Sequence, residues 1–276
     1  MTRSLSDWQH SPGASAVHGF LVAGMGLAAC FLSNWLGRPV GLPFFGRVSG
    51  SVLLDRVQDR RPAFFVRAKR TEAGDGRQTD MAPVLLAATP EGWAARVCQR
   101  PLELLSDHAH LERKAANNAL ELLNRRPPRV GNEWSAELAQ IAREETQHLL
   151  LVTRILFRRG GALNRVHRNP YAGLLHGHIR FGTGAELLDR LIVSFLIEAR
   201  SAERFGRLAL ESEDRELARL YRGLRQSEQG HAAAFLELSM AASDRASVQK
   251  RLQEYIEIEA GAIQAQSVGF TLFSGL

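Results

Sequence analysis

Two short motifs in this chain of 276 residues place a carboxylate three positions before an imidazole: Glu145-Thr-Gln-His148 and Glu228-Gln-Gly-His231. On a helix, residues three apart share a face, so each pair can converge on one point. A single E-x-x-H is weak, because helices are rich in glutamate; two of them, 83 residues apart in similar surroundings, are far more specific. Each pair also follows another glutamate, Glu112 standing 33 residues before Glu145 and Glu198 standing 30 before Glu228. That spacing is one helix, a turn and half of a returning helix, so in an antiparallel hairpin the three residues come level. Carboxylates are hard anionic ligands that can bridge two cations, and neutral imidazole suits iron. Four glutamates and two histidines offset most of the charge of two divalent ions. A metal pair so held has open positions at which O2 can bind and be activated. For any one residue, an ion pair with a nearby arginine or an ordinary helix histidine is an equally good account; for all six together it is not.

Neighbouring residues are less well defined. Glu144 adjoins Glu145 but lacks the spacing of three to His148, and Glu203, five after Glu198, faces elsewhere on its helix. His108, four before Glu112, could support that carboxylate or simply fill the core. Tyr221 and Arg225 share the face of Glu228 and could hydrogen-bond a ligand carboxylate, with core packing and a surface ion pair as the plainer readings.

Caps and breakers delimit the elements that must position these residues. A helix over Pro101–Leu123 stops before Pro127-Pro128, with a short helix expected ahead of it where Thr89 can cap and Pro90 can occupy the first turn. A second begins after Asn132 and runs to Gly160-Gly161. The stretch from Gly160 to Gly184, rich in Gly, His and Arg, reads as a long connection. A third helix covers Ala185 to Ser212, with Leu188, Leu191, Ile192, Phe195, Leu196 and Ala199 forming a core-facing stripe. A fourth runs from Asp214 to Ala242 and a fifth from Ser247 to Ala262.

Residues 1–80 are different, with frequent Gly, Pro and Arg, no sustained helical period, and a linker-like Thr71–Asp80. They are read as an N-terminal extension outside the fold: a disordered leader, or sequence upstream of a true start at Met81, with a small accessory module as the alternative. Residues 81–276 form the functional domain. The apolar run Phe20–Leu32 spans 13 residues, short of the roughly 20 that a membrane span needs, and it lacks the basic flank of a signal peptide. Cys30 and Cys98 form no C-x-x-C pair, so no disulfide framework or thiolate site is indicated, and a reducing cytoplasm is the default. Of 35 basic residues only three are lysines; with a net charge of +6, the composition suits an anionic partner such as nucleic acid.

Four long helices with a long crossover between the second and third, bearing Glu, E-x-x-H, Glu and E-x-x-H in turn, follow the plan of ferritin-like di-iron and di-manganese carboxylate proteins. The fold class is therefore all-α: a ferritin-like four-helix bundle with additional flanking helices and a poorly structured N-terminal extension. The expected metals are two iron ions bound by Glu112, Glu145, His148, Glu198, Glu228 and His231, with manganese as the other metal such a shell suits.

More specifically, from about Leu85 to the end of the fourth helix the chain resembles the tRNA hydroxylase family that acts on 2-methylthio-N6-isopentenyl-adenosine next to the anticodon. The strings carrying the resemblance are LLSDHAHLERKAANNALELL around Glu112, ELAQIAREETQHLLLV around Glu145, LIVSFLIEARSAERF around Glu198 and LYRGLRQSEQGHAAAFLELS around Glu228, together with the connection NRVHRNPYAGLLHGHIR. The resemblance implies an O2-dependent monooxygenase that hydroxylates the isopentenyl side chain, using a tRNA substrate and two electrons from a reductase or ferredoxin-type protein. Arg165, His167, Arg168, His176, His178 and Arg180 of the connection are candidates for an RNA-facing surface, since arginine can meet phosphates bidentately, with a solvated loop of an Arg-rich protein as the equal alternative. The competing function is a ferritin- or rubrerythrin-like iron-binding or peroxide-detoxifying protein, although the C-x-x-C module of a rubrerythrin is absent. A fatty-acyl desaturase would be a longer chain, and a metal-free RNA-binding bundle would not need all six ligand positions.

Overall fold

The computed structural model describes residues 85–276, which form seven helices: α1 (Trp93–Val97), α2 (Pro101–Leu123), α3 (Glu133–Arg158), α4 (Pro170–His176), α5 (Glu186–Glu211), α6 (Arg215–Ala242) and α7 (Arg245–Gln264). The leader assigned to residues 1–80 lies outside the described residues. Helices α2, α3, α5 and α6 are the bundle. Two hairpins, α2 with α3 and α5 with α6, meet along α3 and α6, and the segment between α3 and α5 is the crossover. Among the described residues no helix is long and apolar enough to cross a membrane.

The helix ends follow from local chemistry. Pro101 opens α2 at the position where a missing N–H costs nothing. Gly160, at φ 78°, ends α3: its N–H meets the Phe157 carbonyl and that of Gly161 meets Leu156, closing a Schellman motif that a side chain at position 160 would strain. The Asp214 carboxylate caps α6 by accepting from the N–H groups of Glu216 and Leu217 at 2.9 and 3.2 Å. Arg159 pairs with both Asp214 and Glu216, tying the end of α3 to the start of α6 and fixing the two helices antiparallel.

Three sequence expectations are corrected. Thr89 does not cap a helix; its hydroxyl donates to Glu203, and α1 starts after Gly92 at φ 82°. Asn132 sits at the head of α3 without a side-chain cap bond. The long connection contains α4, because Asn169-Pro170 is a start signal: the Asn169 side chain accepts from the Ala172 N–H at 3.1 Å. Helix α5 is also more enclosed than a single stripe, since α1, α4, α6 and α7 all contact it, while Ala199 is only half-buried.

Charged groups inside this shell hold the flanking elements. Arg200 and Glu259, both fully buried, form a bidentate pair at 2.8 and 2.9 Å, and the Tyr171 hydroxyl donates to the same carboxylate at 2.9 Å, joining α5, α7 and α4. The C-terminal tail folds back over the bundle. There Arg204 lies 4.4 Å over Trp93 and donates to the carbonyls of Leu272 and Ser274, while Asp107 accepts from the Leu272 N–H at 2.8 Å. Removing one member of a buried pair strands the other charge. Glu259→Ala is therefore expected to cost about 3–5 kcal/mol in urea denaturation; a loss below about 1 kcal/mol, the size of a surface pair, would show that the Arg200 charge is satisfied elsewhere.

Candidate metal centre

Each bundle helix turns one or two of the expected ligands inward: Glu112 from α2, Glu145 and His148 from α3, Glu198 from α5, and Glu228 and His231 from α6. They meet as two overlapping groups. Glu112, Glu145, His148 and Glu228 offer ligand atoms within 4.8 Å of one another, and so do Glu145, Glu198, Glu228 and His231. Glu145 and Glu228 belong to both groups. Two four-donor sets sharing two carboxylates are what a pair of cations with bridging ligands requires.

The contacts inside the cluster are close without being hydrogen bonds. His148 Nδ1 lies 3.5 Å from Glu112 and Glu145 and 3.4 Å from Glu228; His231 Nδ1 lies 2.7 Å from Glu145 and 4.0 Å from Glu228. Both Glu145 oxygens, Glu228 Oε1 and the two Nδ1 atoms are buried with no hydrogen-bond partner. Each unsatisfied buried polar atom costs on the order of 1–3 kcal/mol, and here several of them face a common centre. Cations there satisfy them all at once, so the residues fit a metal pair.

Supporting residues hold this geometry. His231 Nε2 meets Glu144 at 3.0 Å, leaving Nδ1 to face the cluster. His108 Nε2 meets Glu112 Oε1 at 2.5 Å, and its ring is packed against Phe205 and Tyr221 at 4.9 and 5.5 Å. The supporting role of His108 was open in the sequence; that of Glu144 was missed, because it requires the pairing of α3 with α6. Tyr221 is core packing: among the described residues its hydroxyl has no hydrogen-bond partner. Arg225 is exposed beside Gly206, and Glu203 faces away, bonded to Thr89 and Arg200.

The electrostatics describe a site short of positive charge. Burial, followed by the Glu112 charge, raises Glu145 to about 8; burial and then Glu145 raise Glu228 to about 8. Glu198 is raised well above the carboxylate range by burial and Glu228. Glu112 moves the other way: burial would raise it, but the charge and hydrogen bond of His108 prevail and lower it. Burial alone would depress the histidines, yet their carboxylate neighbours raise His148 to about 12 and His231 to about 9. Without metal, protons are the cations of this cluster.

A cavity of about 410 Å³ adjoins the cluster between α2, α4, α5 and the tail, with α3 and α6 contributing only Glu145 and Glu228. Its apolar lining is Leu111, Ile197, Phe205, Leu272 and Phe273, with His108, Lys114 and Ser201 also near the cluster; one or two turns along α2 and α5 the wall carries Asn117, Asn118, Arg190 and Ser194. Of the connection, His176 lines this cavity, Arg165 and Arg168 are exposed beside it in sequence, and His178 is exposed. Two expected RNA-facing residues are otherwise engaged: His167 turns inward to Asp107 at 2.8 Å, and Arg180 pairs with Asp189 at 2.6 Å.

These proton affinities fix the sign of a pH effect. Glu145, Glu228, His148 and His231 hold protons in the fold at pH values where the unfolded chain has released them, so the metal-free fold loses stability as pH rises through their raised pKa values. Glu112 acts oppositely, its contribution being lost as pH falls below the ordinary carboxylate value. Between about pH 6 and about pH 9 the melting temperature of the metal-free chain is expected to fall, while the increment on adding metal grows, because metal binding displaces those protons. An increment that shrinks with pH would contradict this electrostatic reading.

Residues 78–274 match the family described as tRNA-(MS2IO6A)-hydroxylase (MiaE). The tRNA 2-(methylsulfanyl)-N(6)-isopentenyladenosine(37) hydroxylase of Pseudomonas putida is 33% identical over 188 residues, covering 68% of this chain and 90% of that protein. Its namesake from Salmonella typhimurium is 28% identical over 153 residues, covering 54% of this chain and 56% of that protein. Among solved structures, Protein 43 with aldehyde deformylating oxygenase activity from Synechococcus superposes with a TM-score of 0.65 at 32% identity, covering 69% of this chain and 96% of that one. With the match spanning all four bundle helices and all six clustered residues, the chain belongs to the MiaE family of tRNA hydroxylases.

Proposed function

We propose that this protein is an O2-dependent monooxygenase that hydroxylates the isopentenyl side chain of 2-methylthio-N6-isopentenyl-adenosine in tRNA, and that residues 81–276 are its catalytic domain. The observation carrying this reading is the pair of overlapping carboxylate and imidazole groups beside a cavity lined by Leu111, Ile197, Phe205, Leu272 and Phe273 as well as by polar side chains. Glu112, Glu145, His148, Glu198, Glu228 and His231 would hold two iron ions, with Glu145 and Glu228 common to both. When bound, the metals supply the redox capacity to activate O2. The balance is R–H, O2, two electrons and two protons giving R–OH and water, so a reductase or ferredoxin-type donor is required. Manganese would suit the same donors, but the family relationship favours iron.

The chain's own residues supply selectivity and placement. Leu111, Ile197, Phe205, Leu272 and Phe273 line the space beside these residues, which suits a branched hydrocarbon. The outer wall, where the Asn118 amide donates to the Ser194 hydroxyl at 2.8 Å, offers polar partners to a purine edge. Arg165, Arg168 and His176 are exposed and would be available to the RNA backbone. Such a substrate places the enzyme, in this reading, in the cytoplasm. Iron storage or peroxide removal would make no use of such a cavity, and the family relationship does not favour it.

The first test is nucleoside analysis of tRNA from cells with and without the gene. Loss of the hydroxylated nucleoside in its absence is expected; unchanged tRNA would remove the proposal. In the purified protein, Glu145→Ala and His231→Ala should abolish turnover and metal retention while far-ultraviolet circular dichroism stays helical. His108→Ala, which frees Glu112 to swing, should weaken metal binding about 10–100-fold. Two metals per chain with full turnover in the Glu145 and His231 variants would refute the ligand assignment.

A further inference from the structure

The cavity occupies the α2, α4 and α5 side of the cluster, and the two histidines belong to α3 and α6 on the other side. Their rings stand 5.8 Å apart. Each approaches the surface: the His148 side chain is 12% exposed, and His231 is hydrogen-bonded to Glu144, whose side chain is 32% exposed. Among the described residues this is the hydrogen-bonded link from the cluster to that face.

Glu144 lies on a continuous outer face of α3. Residues 140, 143, 144, 147, 150, 151, 154, 157 and 158 follow one another at helical spacing, and all are at least partly exposed. At its centre are large apolar side chains that no described residue covers: Leu150 at 49%, Leu151 at 44% and Phe157 at 54% exposure. Arg143, Arg154 and Arg158 flank them. Arg158 pairs with Glu216 and Arg143 with Glu144, but Arg154 makes no ion pair among the described residues.

We infer that this face of α3 is the docking surface for an acidic electron-transfer protein, which delivers its electrons to the metal centre from the histidine side. The inference rests on the monooxygenase reading, whose balance requires two electrons from a reductase or ferredoxin-type donor. An apolar centre rimmed by arginines is the anatomy of a protein–protein contact. It is poorly suited to RNA, whose phosphates gain nothing from three exposed aliphatic and aromatic side chains, and tRNA is accounted for at the cavity mouth on the opposite side. A second copy of the chain would bring the same arginines against each other. A partner with carboxylates around an apolar patch satisfies both features, and its approach is steered by charge.

The probe is a plant-type two-iron, two-sulfur ferredoxin, an acidic protein, with its NADPH-dependent reductase; dithionite with a viologen mediator serves as a donor that needs no docking. In the full chain, the Arg143→Glu/Arg154→Glu double variant and Leu150→Asp are compared with the unaltered protein. Ferredoxin binding to the metal-free chain, read by titration calorimetry, should weaken tenfold or more, and ferredoxin-driven hydroxylation should slow in proportion. The loss should be steeper at low salt. Dithionite-driven hydroxylation and tRNA affinity should not change. Unaltered ferredoxin binding and rate in both variants would overturn the inference, as would a parallel loss of tRNA affinity, which would make the face an RNA surface. A change in sedimentation coefficient on substitution would also overturn it, by making the face a self-association surface. Absence of hydroxylation by the unaltered protein even with dithionite would instead overturn the monooxygenase reading itself, and this docking surface with it.

Discussion

Four carboxylates and two imidazoles are buried together at the middle of this bundle, and the fold is organised around offsetting their charge. Unpaired carboxylates in a dry interior are costly enough that they take up protons rather than remain ionised. Here Glu145, Glu198 and Glu228 do so, and both histidines keep protons that solvent would take from them. Such a cluster weakens the fold that contains it unless cations replace the protons. It persists because the helices presenting it are anchored elsewhere.

Those anchors surround the cluster without entering it. Arg159 with Asp214 and Glu216 fixes the ends of α3 and α6. Arg200 with Glu259 and Tyr171 holds α4 and α7 against α5. Arg204 and Asp107 hold the tail, whose Leu272 and Phe273 complete the cavity wall. Arg200, Glu203 and Arg204 share one face of α5 and Glu198 lies on the other, so the same two turns carry a cluster carboxylate and the supports of α4, α7, the tail and the segment at Thr89.

The cluster was legible in the sequence because its geometry is local: three-residue spacing places Glu and His on one helical face, and hairpin arithmetic brings Glu112 and Glu198 level with them. The four long helices were legible for the same reason, with Pro101, Gly160 and Asp214 marking their ends. What escaped the sequence depends on contacts between distant segments. Glu144 lacks the motif spacing and acquires its role only when α6 brings His231 beside it. Helix α4 was obscured because Asn169-Pro170 is equally a breaker and a start signal. His167 looks like a surface residue of an Arg- and His-rich connection until Asp107 is seen opposite it, and Glu259 stands in a region with no recognisable motif.

In the proposed function two tasks are separated across one bundle, the cavity between α2, α4 and α5 facing one side of the cluster and the histidines on α3 and α6 the other. This division depends on two metals lying where the ligand groups overlap. Anomalous diffraction at the iron edge from crystals of the iron-loaded protein tests that directly. Two iron peaks are expected, one within reach of Glu112 and His148, the other within reach of Glu198 and His231, with Glu145 and Glu228 between them. A single peak, or iron bound away from Glu145 and Glu228, would contradict it.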